Sequence, residues 1–360
     1  MKYVSLLSIL FIPFWAYTQD TAADKTSITT RLYVDTYYAY DFGRPPTGEK
    51  APFLYNYRRH NGTHVNLALA GISIKQKKTR ANVGIMTGTY SRYNLSNEPG
   101  LLKHLFEANA GIKISQRANL WLDAGVMPSH IGFESAIGKD CWTLTRSILA
   151  ENTPYYESGI KLNYTSNDEK IYAAVLLLNG WQRMNISNGK FYPAFGSQVT
   201  YKPTSDLSFN WSTFFGKANP IRFSPLRYLN NFYAVYQINK KFGFTAGLDH
   251  GFEQQQYGSK AFNTWISPVL IPRYELSKWA IAARIEYYND KSGIFAPLVD
   301  NKIFQMQGYS VNIDRKIGNN ILWRAEWRFF NHSSPYFLTK TGTVSTNHSI
   351  TSSVVIDLVK

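Results

Sequence analysis

The sequence predicts an all-β fold, a transmembrane antiparallel β-barrel of about 16 strands. Three observations carry this. From residue 28 onward the chain breaks into sixteen segments of alternating apolar and polar residues. Most are about 9–13 residues long, the length of a tilted membrane-crossing strand. The connections between them alternate strictly between short and long, the asymmetry of a barrel with short periplasmic turns and long extracellular loops. Third, aromatic residues make up 16% of the chain and charged residues only 18%, against roughly 25% charged in soluble domains. Mean hydropathy is nevertheless −0.28. Strands with one face in lipid and the other in water give that combination.

The chain opens MKYVSLLSILFIPFWAYTQD, with Lys2 ahead of an apolar run from Val4 to Trp15. That run is too short for a membrane helix and has the length of a signal-peptide core. Residues 1–18 are therefore read as a signal peptide and 19–360 as one outer-membrane barrel domain. No later segment is apolar for 18 residues. The single cysteine, Cys141, excludes an intramolecular disulfide. The formal net charge is +15. In an exported chain this argues against nucleic acid and for anionic solutes or lipopolysaccharide phosphates.

In chain order the predicted strands are 28–42, 64–76, 79–92, 104–115, 119–127, 155–165, 170–178, 195–202, 207–216, 229–239, 242–251, 263–274, 278–289, 305–316, 320–331 and 347–358. The long connections are 43–63, 93–103, 128–154, 179–194, 217–228, 252–262, 290–304 and 332–346. Within 320–331, Trp323, Ala325, Trp327 and Phe329 share one face, and Arg324, Glu326 and Arg328 the other. In 278–289, Ile281, Ala283 and Ile285 oppose Arg284 and Glu286. In 28–42, Leu32, Val34 and Thr36 oppose Arg31, Tyr33 and Asp35. Charges at successive alternate positions suit a hydrated lumen. The phase of 64–76 breaks near Gly71, where a bulge is expected. Aromatic pairs such as Tyr37-Tyr38, Phe214-Phe215 and Phe329-Phe330 sit at the outer strand ends, with Trp121, Trp279 and Trp323 at the inner ends. These are the two girdles expected where a barrel crosses both interfaces.

RLYVDTYYAYDFGRP, FLYNYRRHN and WLDAGVMPSHIGFESAIGKDCWTLTRSILAENTPYYESG together resemble the OmpL-like family of β-barrel porins of Gram-negative outer membranes. The likeness extends loosely over nearly all of the chain after the signal. It implies outer-membrane location and channel activity, and brings no catalytic residues. The chain departs from outer-membrane barrels generally at its end, Ile356 to Lys360, which lacks a terminal aromatic.

No enzyme site is expected. Asn331-His332-Ser333 and Asn347-His348-Ser349 are strings of neighbours, and neighbours on a strand point to opposite faces. The seven histidines lack metal-ligand spacing. No cofactor or metal is predicted. The candidate residues belong to a pore. Wall charges are Arg31, Asp35, Arg80, Glu157, Arg284, Glu286, Arg324, Glu326 and Arg328, with Lys113, Lys161, Glu107 and Asp123 on the same side. Loop 128–154 adds Glu134, Lys139, Asp140, Arg146 and Glu151. Arg58, Arg59, Arg222 and Arg227 form a basic mouth. Such charges tune ion selectivity or pair across strands and stiffen the wall; both readings stay open.

The expected function is passive diffusion of small hydrophilic solutes, with a preference for anions. The alternative is a structural or surface-binding barrel with a plugged pore. Outer-membrane lipid and lipopolysaccharide are the expected partners, and homo-oligomerisation stays open. Loop 128–154 decides much of this. It is 27 residues long, and its Ile131, Phe133, Ile137, Trp142, Leu144, Ile148 and Leu149 need a protein surface. Folding inward, across the pore, is expected over folding outward as a lid.

Overall fold

The structure, a computed structural model, describes residues 26–186, 190–219, 221–296 and 303–360. The expected signal peptide lies outside them. Sixteen strands close into one antiparallel barrel. They are β1 (Ser27–Asp41), β2 (Gly62–Lys75), β3 (Thr79–Thr87), β4 (Leu105–Lys113), β5 (Asn119–Pro128), β6 (Tyr156–Thr165), β7 (Ile171–Leu178), β8 (Ala194–Thr204), β9 (Leu207–Lys217), β10 (Leu226–Gln237), β11 (Phe242–Gln254), β12 (Phe262–Leu276), β13 (Trp279–Asp290), β14 (Phe304–Lys316), β15 (Ile321–His332) and β18 (Thr346–Val359). Each pairs with its chain neighbour, and β1 closes on β18 from Arg31↔Val359 to Asp41↔Ser349. Closure leaves no strand edge unpaired, which a bilayer demands.

Alternation decides which side chain meets lipid. Leu32 in β1 is 51% exposed and Ile85 in β3 61%, while Tyr33 and Asp35 are fully buried toward the lumen. In β13 and β15, Ile281, Ile285 and Trp327 point out, whereas Arg284, Glu286, Arg324, Glu326 and Arg328 are buried within. The outward aliphatics form the lipid band.

Three local expectations are corrected. The third strand ends at Thr87, not residue 92, because Thr89–Asn94 turns into a short helix, α1. Gly88 makes that turn at φ 126°, where an added Cβ would lie 2.4 Å from the Asn66 carbonyl oxygen. The bulge in β2 falls at Asn66 rather than Gly71: Asp35 pairs with Leu67, and Thr36 with Val65. The extra residue is used, since Asn66 Oδ1 accepts hydrogen bonds from the Tyr57 backbone N–H and Thr89 Oγ1. Finally, the loop after β15 holds a small hairpin, β16 (Phe337–Thr339) with β17 (Gly342–Val344), that alternation over so few residues did not reveal.

This topology makes a first testable prediction. Cysteine placed at the exposed Thr47 or Arg222 should react with a membrane-impermeant maleimide on intact cells. Cysteine at Lys77 or Gly318, in short turns, should react only after the outer membrane is opened; the buried Cys141 stays silent. Labelling of the short turns on intact cells would invert the barrel.

Candidate functional site

Loop 128–154 runs inside the barrel. The lumen-facing charges of β13, β14 and β15 hold it there. Glu326 accepts from the Thr145 backbone N–H at 2.6 Å, and Glu286 from that of Ile148 at 2.6 Å. Arg324 donates to the carbonyls of Gly138 at 2.6 Å and Cys141 at 3.0 Å. Arg284 donates to Thr143 Oγ1, the Thr145 carbonyl and Thr145 Oγ1 at 2.8–2.9 Å. Asn312 accepts from the Leu144 backbone N–H. An irregular segment buried this deeply must have its peptide groups satisfied, and the strand periodicity delivers the charges that do so.

The same charges neutralise one another. Arg284 lies 2.7 Å from Glu326 and 3.3 Å from Glu286, and Arg328 lies 2.7 Å from Glu286. Asp314 takes Arg324 at 2.7 Å and Arg273 at 2.9 Å. Arg284, Arg324 and Arg328 are each at most 2% exposed. They therefore act here as brackets between wall and loop.

The loop's own charges are used in a similar way. Arg146 donates to the carbonyls of Ser135, Ala136 and Leu144. Glu134 accepts from the backbone N–H and hydroxyl of Ser147. Glu151, at the end of the short helix α2 (Ile148–Glu151), accepts from the backbone N–H groups of Tyr55 and Asn56. It thus ties loop 43–63 onto the inner loop. Burial pushes the Glu151 carboxyl up to about 7, and burial pulls the ammonium of Lys50, nearby in loop 43–63, down to about 8. At the root of the loop His130 lies between Glu157, at 2.8 Å from Nδ1, and the Thr213 carbonyl, at 2.8 Å from Nε2. Its two nitrogens thus link β6 to β9.

Nearer the periplasm, Lys139 reaches Asp357 at 2.5 Å, Arg31 reaches Asp357 at 2.8 Å, and Asp140 lies 3.7 Å from Arg31. Asp35 accepts from Tyr57 Oη at 2.5 Å. Arg80 pairs with Asp123 at 2.5 Å. At the mouth, Arg58 and Arg59 converge on Glu49 at 3.0 and 3.6 Å. Arg222 is exposed. Arg227 corrects the expectation of a free mouth charge. It lies inside β10, is 6% exposed, pairs with Glu253 at 2.6 Å and has its guanidinium 4.7 Å from the Trp181 ring centre and 4.4 Å from that of Phe295.

Two volumes remain. Toward the extracellular end, an apolar cluster packs between the loops and the β7–β15 wall. Phe53 sits at its centre, touching Phe304, Phe330, Tyr336 and Phe337. Wall residues Leu178, Phe214, Leu229 and Trp265 and loop residues Ile131 and Ile148 complete it. Below, on the β6–β10 side, a vestibule of about 920 Å³ opens, lined by Tyr172, Thr200, Lys202, Ser208 and Tyr233 and roofed by Phe133. A smaller cavity of about 320 Å³ lies between the loop and Met86, Phe106 and Glu107 of the wall. Lys161 and Glu107 are inward-facing and half-buried on this same side. Among the described residues Lys161 makes no ion pair; its register neighbour Asp123 is taken by Arg80 and Asn163.

Sequence reasoning singled out neither Phe53 nor Asp314 and Arg273. Alternation would have found Asp314, which shares a face with Ser310 and Asn312. Phe53 lies in a loop, and no periodicity reports its position.

The family described as "Putative beta-barrel porin-2, OmpL-like" matches residues 27–358. No curated protein matches in sequence. Among solved structures, the chain resembles an anion-selective porin from Comamonas acidovorans, at 10% identity and a TM-score of 0.61, covering 93% of this chain and 100% of that one. OmpT of Vibrio cholerae, solved in a trimer form, matches at 8% identity and 0.60, over 93% and 100%. The outer membrane channel DcaP of Acinetobacter baumannii matches at 10% and 0.57, over 94% and 99%. At such identities the likeness is one of fold.

Proposed function

We propose, for a chain that belongs to the OmpL-like family of β-barrel porins, a specific route and selectivity for its channel activity. It is an outer-membrane porin for diffusion of small hydrophilic solutes. The route we infer runs along the β3–β10 wall, past Glu107 and Lys161 and through the vestibule beneath Phe133. The observation that carries this reading is the division of the lumen. The β13–β15 side is filled by loop and brackets, whereas the cavities lie on the opposite side. On this reading passage requires the aromatic seal around Phe53 to part. The mechanism is geometric and electrostatic, without a chemical step. Self-association is part of the proposal and rests on the trimer form of one structural relative.

Selectivity follows from which charges remain uncompensated. The brackets cancel; Lys161, like Glu107 on the same route, makes no ion pair among the described residues, and Lys161 is the cation of the two. Anion preference is therefore expected to depend on Lys161 rather than on the mouth arginines. In a bilayer under a salt gradient, Lys161→Glu should move the reversal potential toward cation preference, most at low salt where screening is weakest. Arg222→Glu should leave it nearly unchanged. The reverse pattern would move the filter to the mouth.

A second reading, a plugged surface barrel, is favoured by one observation, the same apolar seal. It predicts no conductance from the inserted protein.

A further inference from the structure

Three neighbouring long loops, those after β7, β9 and β11, carry a surface that the channel does not use. Together residues 179–193, 218–225 and 255–261 contain Arg183, Lys190, Arg222 and Lys260 and no acid. Lys217 lies at the top of β9, Glu253 at the top of β11 is spent on Arg227, and Glu98, which reaches the loop after β7, is spent on the backbone N–H groups of Met184 and Asn185. Apolar rings are exposed among these cations. Phe223 is 63% and Tyr257 52% exposed, and their rings meet edge-on at 5.4 Å. Lys217 Nζ stands 4.1 Å from the Tyr192 ring centre and 5.6 Å from that of Tyr257, and it donates to the carbonyls of Ile221 and Arg222. The side chains thus build one surface across three loops.

Its place on the barrel decides what it meets. Lys217 has the same parity as Phe215, Trp211 and Phe209, which face lipid. Phe215 stacks between Tyr228 at 4.8 Å and Phe195 at 6.4 Å, directly below. A lipid-facing aromatic belt therefore runs upward into exposed rings and cations that form no salt bridge among the described residues, away from the lumen. Rings at the interface take acyl chain and sugar, and cations at headgroup height take phosphate. A pore mouth built to attract solute would have no use for outward Phe223 and Ile221.

We infer that this outer rim above β8–β12 is a docking surface for a phosphorylated glycolipid of the outer leaflet, with its phosphates on Arg222 and Lys217 and its sugar and proximal acyl carbons against Phe223 and Tyr257. The inference rests on outer-membrane insertion and not on the solute route.

The test uses the full-length protein in nanodiscs of zwitterionic phospholipid. Purified bis-phosphorylated lipid A is titrated and read by native mass spectrometry and by the heat-modifiability midpoint. Lipid A should bind stoichiometrically and raise the midpoint. Arg222→Glu with Lys217→Glu should weaken it about tenfold or more. Phe223→Ser with Tyr257→Ser, a loop-only pair outside the strand ladder, should weaken it as well. Dephosphorylated lipid A should bind poorly, and inorganic phosphate should not compete. Equal binding by wild type and both variants would overturn the proposal. Displacement by free phosphate would overturn it too, by reducing the surface to a soluble-anion site. Unit conductance, measured in parallel, should be unchanged in the Phe223→Ser/Tyr257→Ser variant, so failure here and failure of the channel reading are separable.

Discussion

Deleting Ser135 to Leu149 is expected to raise unit conductance several-fold while the barrel still inserts. A sixteen-stranded barrel leaves an aqueous lumen unless something fills it. Here the filling is this segment, whose Ile137, Leu144, Ile148 and Leu149 are buried inside the ring of strands. The deletion also removes the floor on which loop 43–63 rests, because Ile148 packs in the cluster around Phe53. The sixteen strands keep their backbone ladders, so heat modifiability should survive. Planar-bilayer recording checks this. A correctly inserted deletion variant with wild-type conductance would mean that the solute route avoids the loop altogether.

The second large effect is expected at Arg284. Its guanidinium is buried between Glu286 and Glu326 and donates to Thr143 and Thr145 of the loop. Arg284→Met leaves two buried carboxylates facing only Arg328 and backbone N–H groups. Breaking a buried pair on one side costs about 3–5 kcal/mol. Most of that cost should fall on the seating of the loop, since the strands are held by their own ladders. The expected result is a protease-sensitive segment between 135 and 149 and a noisy, enlarged conductance. Adding Glu326→Leu should recover part of the loss, because an apolar pair in place of an ionic one is close to neutral. Full recovery is not expected, since Glu326 also accepts from Thr145. If Arg284→Met alone kept the loop protected and the conductance quiet, the bracket assignment would be wrong.

The sixteen strands were legible because a membrane barrel writes two periodicities at once. Alternation along each strand separates Leu32 from Tyr33 and Ile285 from Glu286; alternation of turn length separates the two ends. The faces of Arg31, Asp35, Arg284, Glu286, Arg324, Glu326 and Arg328 followed from parity alone. Their partners did not. Parity places Glu286 in the lumen, yet whether it meets water, Arg328 or the Ile148 amide depends on where a loop more than a hundred residues away settles. Loop 128–154 announced through its apolar residues that it needs a protein surface; that the surface is the inside of the barrel rather than the neighbouring outer loops is decided by the wall charges that accept and donate to its backbone. Phe53 announced nothing, since it is a single aromatic in a mixed loop. Arg227 was misplaced for a related reason: the strand starts at Leu226, earlier than the alternation suggests, which turns a mouth charge into a buried and paired one. The bulge moved from Gly71 to Asn66 because a glycine in a strand is a weak signal, whereas the true extra residue is defined by the loop contacts of Tyr57 and Thr89.

Single-channel recording of the unmodified protein in a planar bilayer separates a gated channel from a sealed barrel. Discrete steps are expected, smaller than those of the 135–149 deletion and interrupted by long closures while the seal around Phe53 is intact. Phe53→Ala should shorten those closures without changing the size of the step. A heat-modifiable, inserted barrel that passes no current, with or without Phe53→Ala, would contradict the account and leave a plugged surface protein in its place.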